Sequence, residues 1–314
     1  MACISALTSA NAVNVLTGNK YCKTLISVRI HMSKRIQCIG KLQGWIEKVA
    51  TKRLFNRADG IVAVSKVIAM DLVESFHLSR EKIVSIYNGY ELRNMEMRAG
   101  EPLGIKEEEW FKGNVIVSVG RLSKEKGHIH LIKAFACVQK YIQNARLLIL
   151  GEGELAGELE EKIKRLGLED NVKLYGFVNN PYQIVKKSDL FVMSSLNEGF
   201  PNALAESLCL GVPSISTDCD SGAREILAPN TDLTKKVLHG FEKAEYGILC
   251  PVCEGGNVDE TLEMTPQEMD MADAMLYMLQ NQDVYAHYKE KARERAEQLS
   301  LDKIIEQWIA LIEE

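Results

Sequence analysis

The chain has 314 residues, of which 46% are hydrophobic and 26% are charged. This length allows two domains with substantial cores, and the lack of a run of about twenty apolar residues argues against a membrane-spanning helix. The formal net charge of −5 argues against general nucleic-acid binding, although residues 1–60 carry ten basic and two acidic residues, a net +8. Eight cysteines without the paired spacing of a disulfide framework favour a reducing, cytoplasmic location.

The N-terminal part alternates strand-like and helical patterns. Residues 25–28 and 60–65 are strand-like, and residues 33–57 between them have apolar residues three or four positions apart, which predicts one long helix. The other side of this helix is basic. We expect these charges to form either a solvated surface or a contact with an anionic membrane. The apolar positions are Ile36, Ile39, Leu42, Ile46 and Val49, and the basic ones are Lys34, Arg35, Lys41, Lys48 and Lys52.

A polar stretch over residues 91–113 interrupts this pattern and predicts a domain boundary. Strand and helix patterns then alternate over residues 115–217, which is typical of a doubly wound parallel sheet. Residues 228–246 resemble a long loop, and a last strand is predicted at 246–249. The predicted domains are residues 1–100 and residues 101–290, followed by a helix over 291–314 that packs back toward the N-terminal domain.

The segment from Glu198 to Glu206 is the most informative in the chain. It follows a strand, turns at Gly199 and opens a helix, whose unpaired N–H groups and positive dipole end favour an anion. Glu206 interrupts an otherwise apolar helix, where a charge requires a partner. Two carboxylates that hold hydroxyl groups beside an anion site suit a sugar nucleotide. The simpler alternative is that Glu206 is a solvated helix residue and Glu198 a turn former.

A second segment begins at Gly120 and ends at Gly127, and it also follows a strand-like run. It contains Arg121 and Lys126. A planar guanidinium and a mobile ammonium pair well with phosphate oxygens. This segment therefore supplies the cations that a bound diphosphate would need.

Two further motifs could indicate a dinucleotide site and a metal site, but the residues around them argue against both. The glycine-rich turn over 151–157 has one residue too many for a dinucleotide-binding fingerprint, and its glutamates would repel a pyrophosphate, so a dehydrogenase is disfavoured. Asp218 and Asp220 could hold a divalent metal against a diphosphate. Because Arg121 and Lys126 already offer neutralising charge, we predict neither a metal nor a cofactor.

Together, the segments 118–127, 148–153 and 197–206 closely resemble the retaining glycosyltransferases of family 4, which have the two-domain GT-B fold. The resemblance covers nearly all of residues 110–314 at high specificity and residues 1–95 at lower specificity. It implies an α/β protein of GT-B type, with two doubly wound Rossmann-like domains of which the first is incomplete.

The resemblance also implies roles for individual residues. Arg121 and Lys126 would grip the donor diphosphate, and Glu206 would hold the ribose. Glu198 would hold hydroxyls of the transferred sugar. The implied donor-binding residues are Gly120, Arg121, Lys126, Phe177, Glu198, Gly199, Phe200, Pro201, Asn202, Ala203, Leu204 and Glu206. The implied catalytic residues are Glu198, Arg121, Lys126 and His31, and His31 would lie near the acceptor; its alternative role is a packed structural residue.

The implied reaction moves a hexose or N-acetylhexosamine from a nucleoside-diphosphate sugar, with UDP-sugars favoured, to a glycan or polyprenyl-linked acceptor. From the cysteines and the basic helix we expect a cytoplasmic location, with helix 33–57 as the site of peripheral membrane contact. The family begins with a strand and a glycine-rich loop that this sequence lacks. We therefore expect either a fragment of a longer enzyme, a partner chain that completes the N-terminal domain, or a catalytically silent donor-binding subunit.

Overall fold

The computed structural model describes residues 1–18, 21–37, 39–104, 108–220, 222–254 and 263–313. The chain divides into two compact units, one formed by Met1–Gly89 with Leu301–Glu314 and the other by Tyr90–Ser300. The sequence predicts a domain boundary at residue 100 and, from residue 291, a helix that packs back toward the N-terminal domain. In the structure the chain passes from the first unit to the second between residues 89 and 90, and it returns to the first unit between residues 300 and 301. Each helix in the described ranges is too short or too polar to cross a bilayer.

The first unit contains a parallel sheet in the order β1-β2-β3-β4. Its strands are β1 Ala2–Ala6, β2 Lys23–Val28, β3 Gly60–Ala63 and β4 Ile83–Ser85, and its crossover helices are α1 Thr8–Thr17, α2 Met32–Gln37, α3 Lys41–Phe55 and α4 Lys66–Glu74. Ser65 begins α4, where its hydroxyl accepts a hydrogen bond from the Ile68 N–H at 3.1 Å. Parallel strands need such crossovers, which explains the alternation in the sequence.

Both faces of this first sheet are covered. On one face Phe55 of α3 and Leu72 of α4 pack in a buried cluster with strand residues such as Ile61. On the other face Ile304 packs against Val62 and Ile86. Ile304 belongs to the terminal helix Leu301–Glu313, which is called α13 below. The last helix of the chain is thus part of the core of the first unit.

The predicted single helix over residues 33–57 is wrong, because α2 and α3 are separate helices. Helix α2 ends at Gln37, and Gly40, with ψ 145°, is extended immediately before α3 begins at Lys41. Cys38 lies outside the described residues. The predicted apolar stripe also does not face the core throughout: Leu42 and Ile46 are 73% and 54% exposed.

The second unit has a larger sheet in the order β10-β11-β9-β8-β5-β6-β7, parallel except for the β10–β11 pair. The strands are β5 Val115–Val119, β6 Arg146–Leu150, β7 Val172–Gly176, β8 Leu190–Met193, β9 Ser214–Thr217, β10 Glu242–Lys243 and β11 Ile248–Cys250. The helices are α5 Leu92–Ala99, α6 His128–Tyr141, α7 Ala156–Arg165, α8 Tyr182–Lys187, α9 Asn202–Cys209, α10 Ala223–Leu227, α11 Pro266–Gln280 and α12 Gln282–Gln298.

The strand order of the second sheet determines where a ligand can bind. From β5 the sheet continues through β6 and β7 on one side and through β8 and β9 on the other. The order therefore reverses between β5 and β8, and ligands of open α/β sheets bind at the carboxyl ends of the strands at such a switch point. The predicted α/β fold is confirmed. Strand β10, however, lies within the segment that the sequence predicts to be a loop.

A buried ionic cluster joins α6 to the start of α11. The Glu268 carboxylate is inaccessible to solvent and lies 2.7 Å from His130 Nδ1 and 2.9 Å from Lys133 Nζ. Glu268 also accepts the Thr265 N–H at 2.8 Å and completes a capping box with that residue. Burial alone would raise the pKa of Glu268, but its hydrogen bonds to His130 and Lys133 outweigh burial and lower it.

Candidate active site

The loops that follow β5 and β8 meet at the switch point. The Leu196 N–H donates to the Glu125 carbonyl at 2.8 Å, and the Ser194 hydroxyl donates to the Lys126 carbonyl at 2.9 Å. Gly127 has φ +60°, and a Cβ there would lie 2.3 Å from the Ser194 carbonyl oxygen. Only glycine fits this approach of the two backbones. The two segments singled out in the sequence are therefore held together.

Lys126 and Glu198 form an ion pair across these loops. Lys126 Nζ lies 2.6 Å from Glu198 Oε1, and the two side chains are 29% and 11% exposed. The Ser195 hydroxyl donates to the same carboxylate oxygen at 2.7 Å, and Thr217 Oγ1 donates to the Ser195 carbonyl at 2.5 Å. Charge-assisted hydrogen bonds of this length fix side chains strongly. Two residues predicted to contact the donor are thus in direct contact with each other.

The loop from Gly120 is braced by the glycine-rich turn after β6. The Gly120 N–H donates to the Leu150 carbonyl at 2.9 Å, and the Leu122 N–H donates to the Glu152 carbonyl at 2.9 Å. A Cβ on Gly153 would lie 2.3 Å from the Leu122 carbonyl oxygen. These glycines therefore serve close packing of two loops. Arg121, between the two anchored residues, has an exposed side chain.

The start of α9 lies at the carboxyl edge of the same sheet. Pro201 precedes the helix and supplies no side-chain capping bond. A Cβ on Gly222, which has φ +81°, would lie 2.4 Å from Pro201 Cδ, so Gly222 packs tightly behind this turn. The N–H groups of Ala203 and Leu204 fall in the first helical turn, where no intrahelical acceptor exists. They are available to oxygens of an anion.

Glu206, half-buried on α9, is part of a short chain of polar contacts. The Tyr182 hydroxyl lies 3.5 Å from Glu206 Oε1, and the Arg98 guanidinium stacks over the Tyr182 ring at 5.0 Å from its centroid. Burial raises the pKa of Glu206 above its ordinary value, although the Tyr182 hydrogen bond and the Arg98 charge oppose this. Glu206 is therefore a partly buried carboxylate with a raised pKa, which is an environment often found at functional sites.

Phe177 follows β7 at the same edge of the sheet. Its side chain is 71% exposed, which is unusual for an aromatic ring. Its N–H donates to Glu152 Oε1 at 3.4 Å, so the residue is linked to the glycine-rich turn. An exposed ring at this position offers a flat apolar surface to a ligand.

His31 and Arg29 belong to the first unit, after the carboxyl end of β2. His31 Nδ1 lies 3.3 Å from Asp71 Oδ2 and 3.2 Å from the Ser33 hydroxyl. The Arg29 guanidinium donates to Asn88 Oδ1 at 2.6 Å. The histidine ring is thus oriented by a carboxylate. All the other predicted site residues lie in the second unit.

The two aspartates after β9 are engaged in ion pairs. Asp218 is buried 2.6 Å from an Arg224 nitrogen, and Asp220 lies 3.4 Å from Lys236. Within residues 1–18, 21–37, 39–104, 108–220, 222–254 and 263–313, no three His, Cys, Asp or Glu side chains are grouped to hold a metal.

Sequence reasoning did not identify four residues that support the site. Ser195 binds Glu198, Tyr182 and Arg98 lie in the contacts of Glu206, and the Tyr90 hydroxyl donates to Asn202 Oδ1 at 2.8 Å. Ser195 could have been found, because it is polar, follows a buried strand and precedes Glu198 by three positions. Tyr90 and Arg98 are distant in sequence, and only folding brings them to α9.

The cations, the carboxylates and the helix entrance thus lie at the switch point of an α/β domain, where open sheets of this type bind their ligands. Residues 104–241 match the family model described as glycosyl transferases group 1. The matched range includes both switch-point loops and α9. The chain therefore contains a glycosyltransferase group 1 domain.

Two curated relatives extend the similarity beyond this range. An uncharacterized glycosyltransferase of Methanocaldococcus jannaschii is 35% identical over 269 residues, which are 84% of this chain and 66% of that protein. The N-acetylgalactosamine-N,N'-diacetylbacillosaminyl-diphospho-undecaprenol 4-alpha-N-acetylgalactosaminyltransferase of Campylobacter jejuni is 35% identical over 259 residues, 82% of this chain and 60% of that enzyme. The chain thus spans less than two thirds of the length of these relatives.

The fold is shared with solved structures, including that of a glycosyltransferase from Rickettsia africae with a TM-score of 0.72 at 17% identity, over 98% of this chain and 76% of that chain. The Anabaena protein HepE, in complex with UDP, superposes with a TM-score of 0.76 at 19% identity, over 99% of this chain and 78% of that chain. At this identity the likeness establishes the GT-B type of fold and nothing further.

Proposed function

We propose that the protein transfers a hexose or N-acetylhexosamine from a UDP-sugar to a glycan or polyprenyl-linked acceptor, with retention of anomeric configuration. The observation that carries this proposal is the contact of Lys126 with Glu198 at 2.6 Å on two loops that meet at the switch point. Arg121 and Glu206 lie on elements of the same sheet edge. The UDP in the HepE complex and the diphospho-undecaprenol in the name of the Campylobacter relative support this donor and this acceptor class.

In the proposed reaction the bond from the anomeric carbon to the donor phosphate breaks and a bond to the acceptor oxygen forms on the same face. The acceptor proton passes to a leaving phosphate oxygen. Negative charge grows on the diphosphate, where Arg121, Lys126 and the amides at the start of α9 stabilise it. Glu198 holds sugar hydroxyls and Glu206 the ribose. Because side chains supply the neutralising charge, the proposal includes no metal. His31 is proposed to lie near the acceptor.

Nucleotide binding should depend on Glu206 and on pH. We expect Glu206→Ala to weaken UDP binding about tenfold, because ribose hydroxyls lose a charged acceptor. The carboxylate form accepts these bonds, so affinity should fall as the pH drops through the raised pKa of Glu206, at higher pH than for an ordinary glutamate. Isothermal titration with UDP checks both effects.

The matched control for this test is Glu161→Ala, at an exposed position on α7. It should bind UDP like the wild type. A Glu206→Gln variant should bind weakly without the acid-dependent loss. Full UDP affinity in Glu206→Ala would remove this residue from the ribose role, and no binding of UDP or any UDP-sugar by the folded wild-type chain would refute the donor assignment.

The second candidate is a donor-binding subunit whose first sheet is completed by another polypeptide. Among the described residues β1 lies at the sheet edge, and Ile4, Val13 and Leu16 beside it are 47%, 60% and 60% exposed. Such an edge with apolar neighbours favours pairing with a further strand. This second candidate predicts that the isolated chain self-associates or lacks transfer activity. A fully active monomer by size-exclusion chromatography would contradict this candidate.

The proposed location of the protein is the cytoplasm.

A further inference from the structure

Helix α3 presents an apolar patch to solvent inside a basic surface. Leu42, Trp45 and Ile46 are 73%, 64% and 54% exposed. Residues three and four positions apart are neighbours on a helix, so these three side chains form one patch, which is called the α3 patch below. Monomeric proteins seldom expose a tryptophan and two large aliphatic residues together without a binding role.

The segment that carries the α3 patch is strongly basic. Lys41 and Lys48 lie four positions before and three positions after Trp45, which places them on the same side of the helix. Residues 32–57 contain seven basic residues and a single acidic one, Glu47. Glu47 forms an ion pair with Arg35. The surface thus combines a tryptophan, aliphatic side chains and an excess of basic residues.

We propose that the α3 patch docks the first unit on an anionic lipid surface, with Leu42, Trp45 and Ile46 entering the interface and Lys41 and Lys48 contacting the headgroups. Tryptophan and leucine bury their apolar area at the boundary between acyl chains and headgroups, and lysines are attracted by anionic lipids. Charge complementarity favours this occupant over a neutral apolar partner. Docking would bring the chain to the surface in which a polyprenyl-linked acceptor is anchored.

The test is co-sedimentation with vesicles of equal parts phosphatidylglycerol and phosphatidylcholine, compared with phosphatidylcholine alone. The full chain should bind the anionic vesicles at low salt, and high salt should weaken the binding because exposed charges are screened. Leu42→Ser with Trp45→Ser should lower the partition coefficient about tenfold or more. Lys41→Glu with Lys48→Glu should lower it by at least as much.

Two matched controls separate the patch from general effects. Ile309→Ser changes another exposed aliphatic residue of the same unit, on α13, and should bind like the wild type. Lys140→Glu with Lys164→Glu makes the same change in net charge at exposed positions of the second unit and should lower binding much less than the Lys41 and Lys48 pair. Trp45 emission should shift to the blue with vesicles, and Trp45→Phe should abolish this shift.

Several results would overturn the proposal. These are no binding of the wild type to anionic vesicles at low salt, equal losses for the patch variants and their controls, or a dimer that the patch variants dissociate while vesicles bind nothing. The last result would assign the patch to a second copy of the chain. All proposed UDP-binding residues lie in the second unit, so patch variants should titrate UDP normally, and failure of vesicle binding leaves the donor proposal intact.

Discussion

Replacing Lys126 with alanine should lower kcat/KM for sugar transfer about a hundredfold to a thousandfold, the usual cost of losing one preorganised charge donor at a developing anion. Lys126 lies on the loop after β5, where its ammonium contacts Glu198 and its carbonyl accepts the Ser194 hydroxyl. The variant loses the positive charge proposed to face the diphosphate, and it also removes the ion pair that orients Glu198. Both effects act on the same reacting bond.

The control for this prediction is Lys124→Ala. Lys124 belongs to the same short 3-10 turn, Lys124–Lys126, and its side chain is exposed. Its loss removes an equal charge from the same loop and should leave kcat/KM within about threefold, as is normal for surface positions. Initial rates with a UDP-sugar and UDP titrations of both variants provide the comparison. Equal rates for the two variants would show that Lys126 does not stabilise the transition state.

A thermal melt with circular dichroism distinguishes catalysis from folding in this experiment. Glu198 keeps its hydrogen bond from Ser195 when Lys126 is removed, so we expect only a modest change in melting temperature. A large loss of rate with a nearly unchanged melting temperature would support the proposed role. A melting temperature that falls as steeply as the rate would show that the ion pair is structural.

The largest loss of stability is expected for Glu268→Ala. Removing this carboxylate leaves His130 and Lys133 buried without their shared partner and removes the cap of α11. Breaking a buried ion pair in this way costs about 3–5 kcal/mol. For a unit of this size, that corresponds to a fall in melting temperature of about 10 °C. Differential scanning calorimetry measures the effect directly.

The same carboxylate should make stability depend on acid. The pKa of Glu268 is lower in the folded protein than in an ordinary glutamate, so its contribution is present above the unfolded-state pKa and is lost as the pH falls through the folded-state pKa. Glu268→Ala should therefore flatten the acid limb of the stability curve. The control is Glu290→Ala, an exposed residue of α12, which should change stability by less than about 0.5 kcal/mol. Equal stability of the two variants would contradict the role of this cluster.

The sequence predicted much of the second unit at close to residue accuracy. The strand and helix alternation predicted over residues 115–217 is observed from β5, which begins at Val115, to β9, which ends at Thr217. These strands are buried on both faces, so they appear as continuous apolar runs that end at glycines, a pattern that few other structures produce. The loops after such strands must lie at one edge of the sheet. The residues that the sequence predicts to bind the donor accordingly lie on loops at this one edge of the sheet.

The first unit shows where periodicity fails as a guide. Apolar residues three and four positions apart predicted a helix in the right region, but the pattern cannot tell a stripe that faces the core from one that faces solvent. Leu42 and Ile46 are exposed, and Phe55, outside the predicted stripe, is buried against the core. Which side of α3 faces the sheet depends on how its neighbours pack.

The sequence by itself determined the α/β alternation, the edge that carries the switch-point loops, and the residue types on those loops, because these follow from burial and from local turn chemistry. Only the tertiary structure decided the partners: Lys126 with Glu198, Tyr182 with Glu206, and Glu268 with His130. These residues are far apart in sequence, and their contacts depend on strand order and helix packing. No local pattern of the chain specifies either of these.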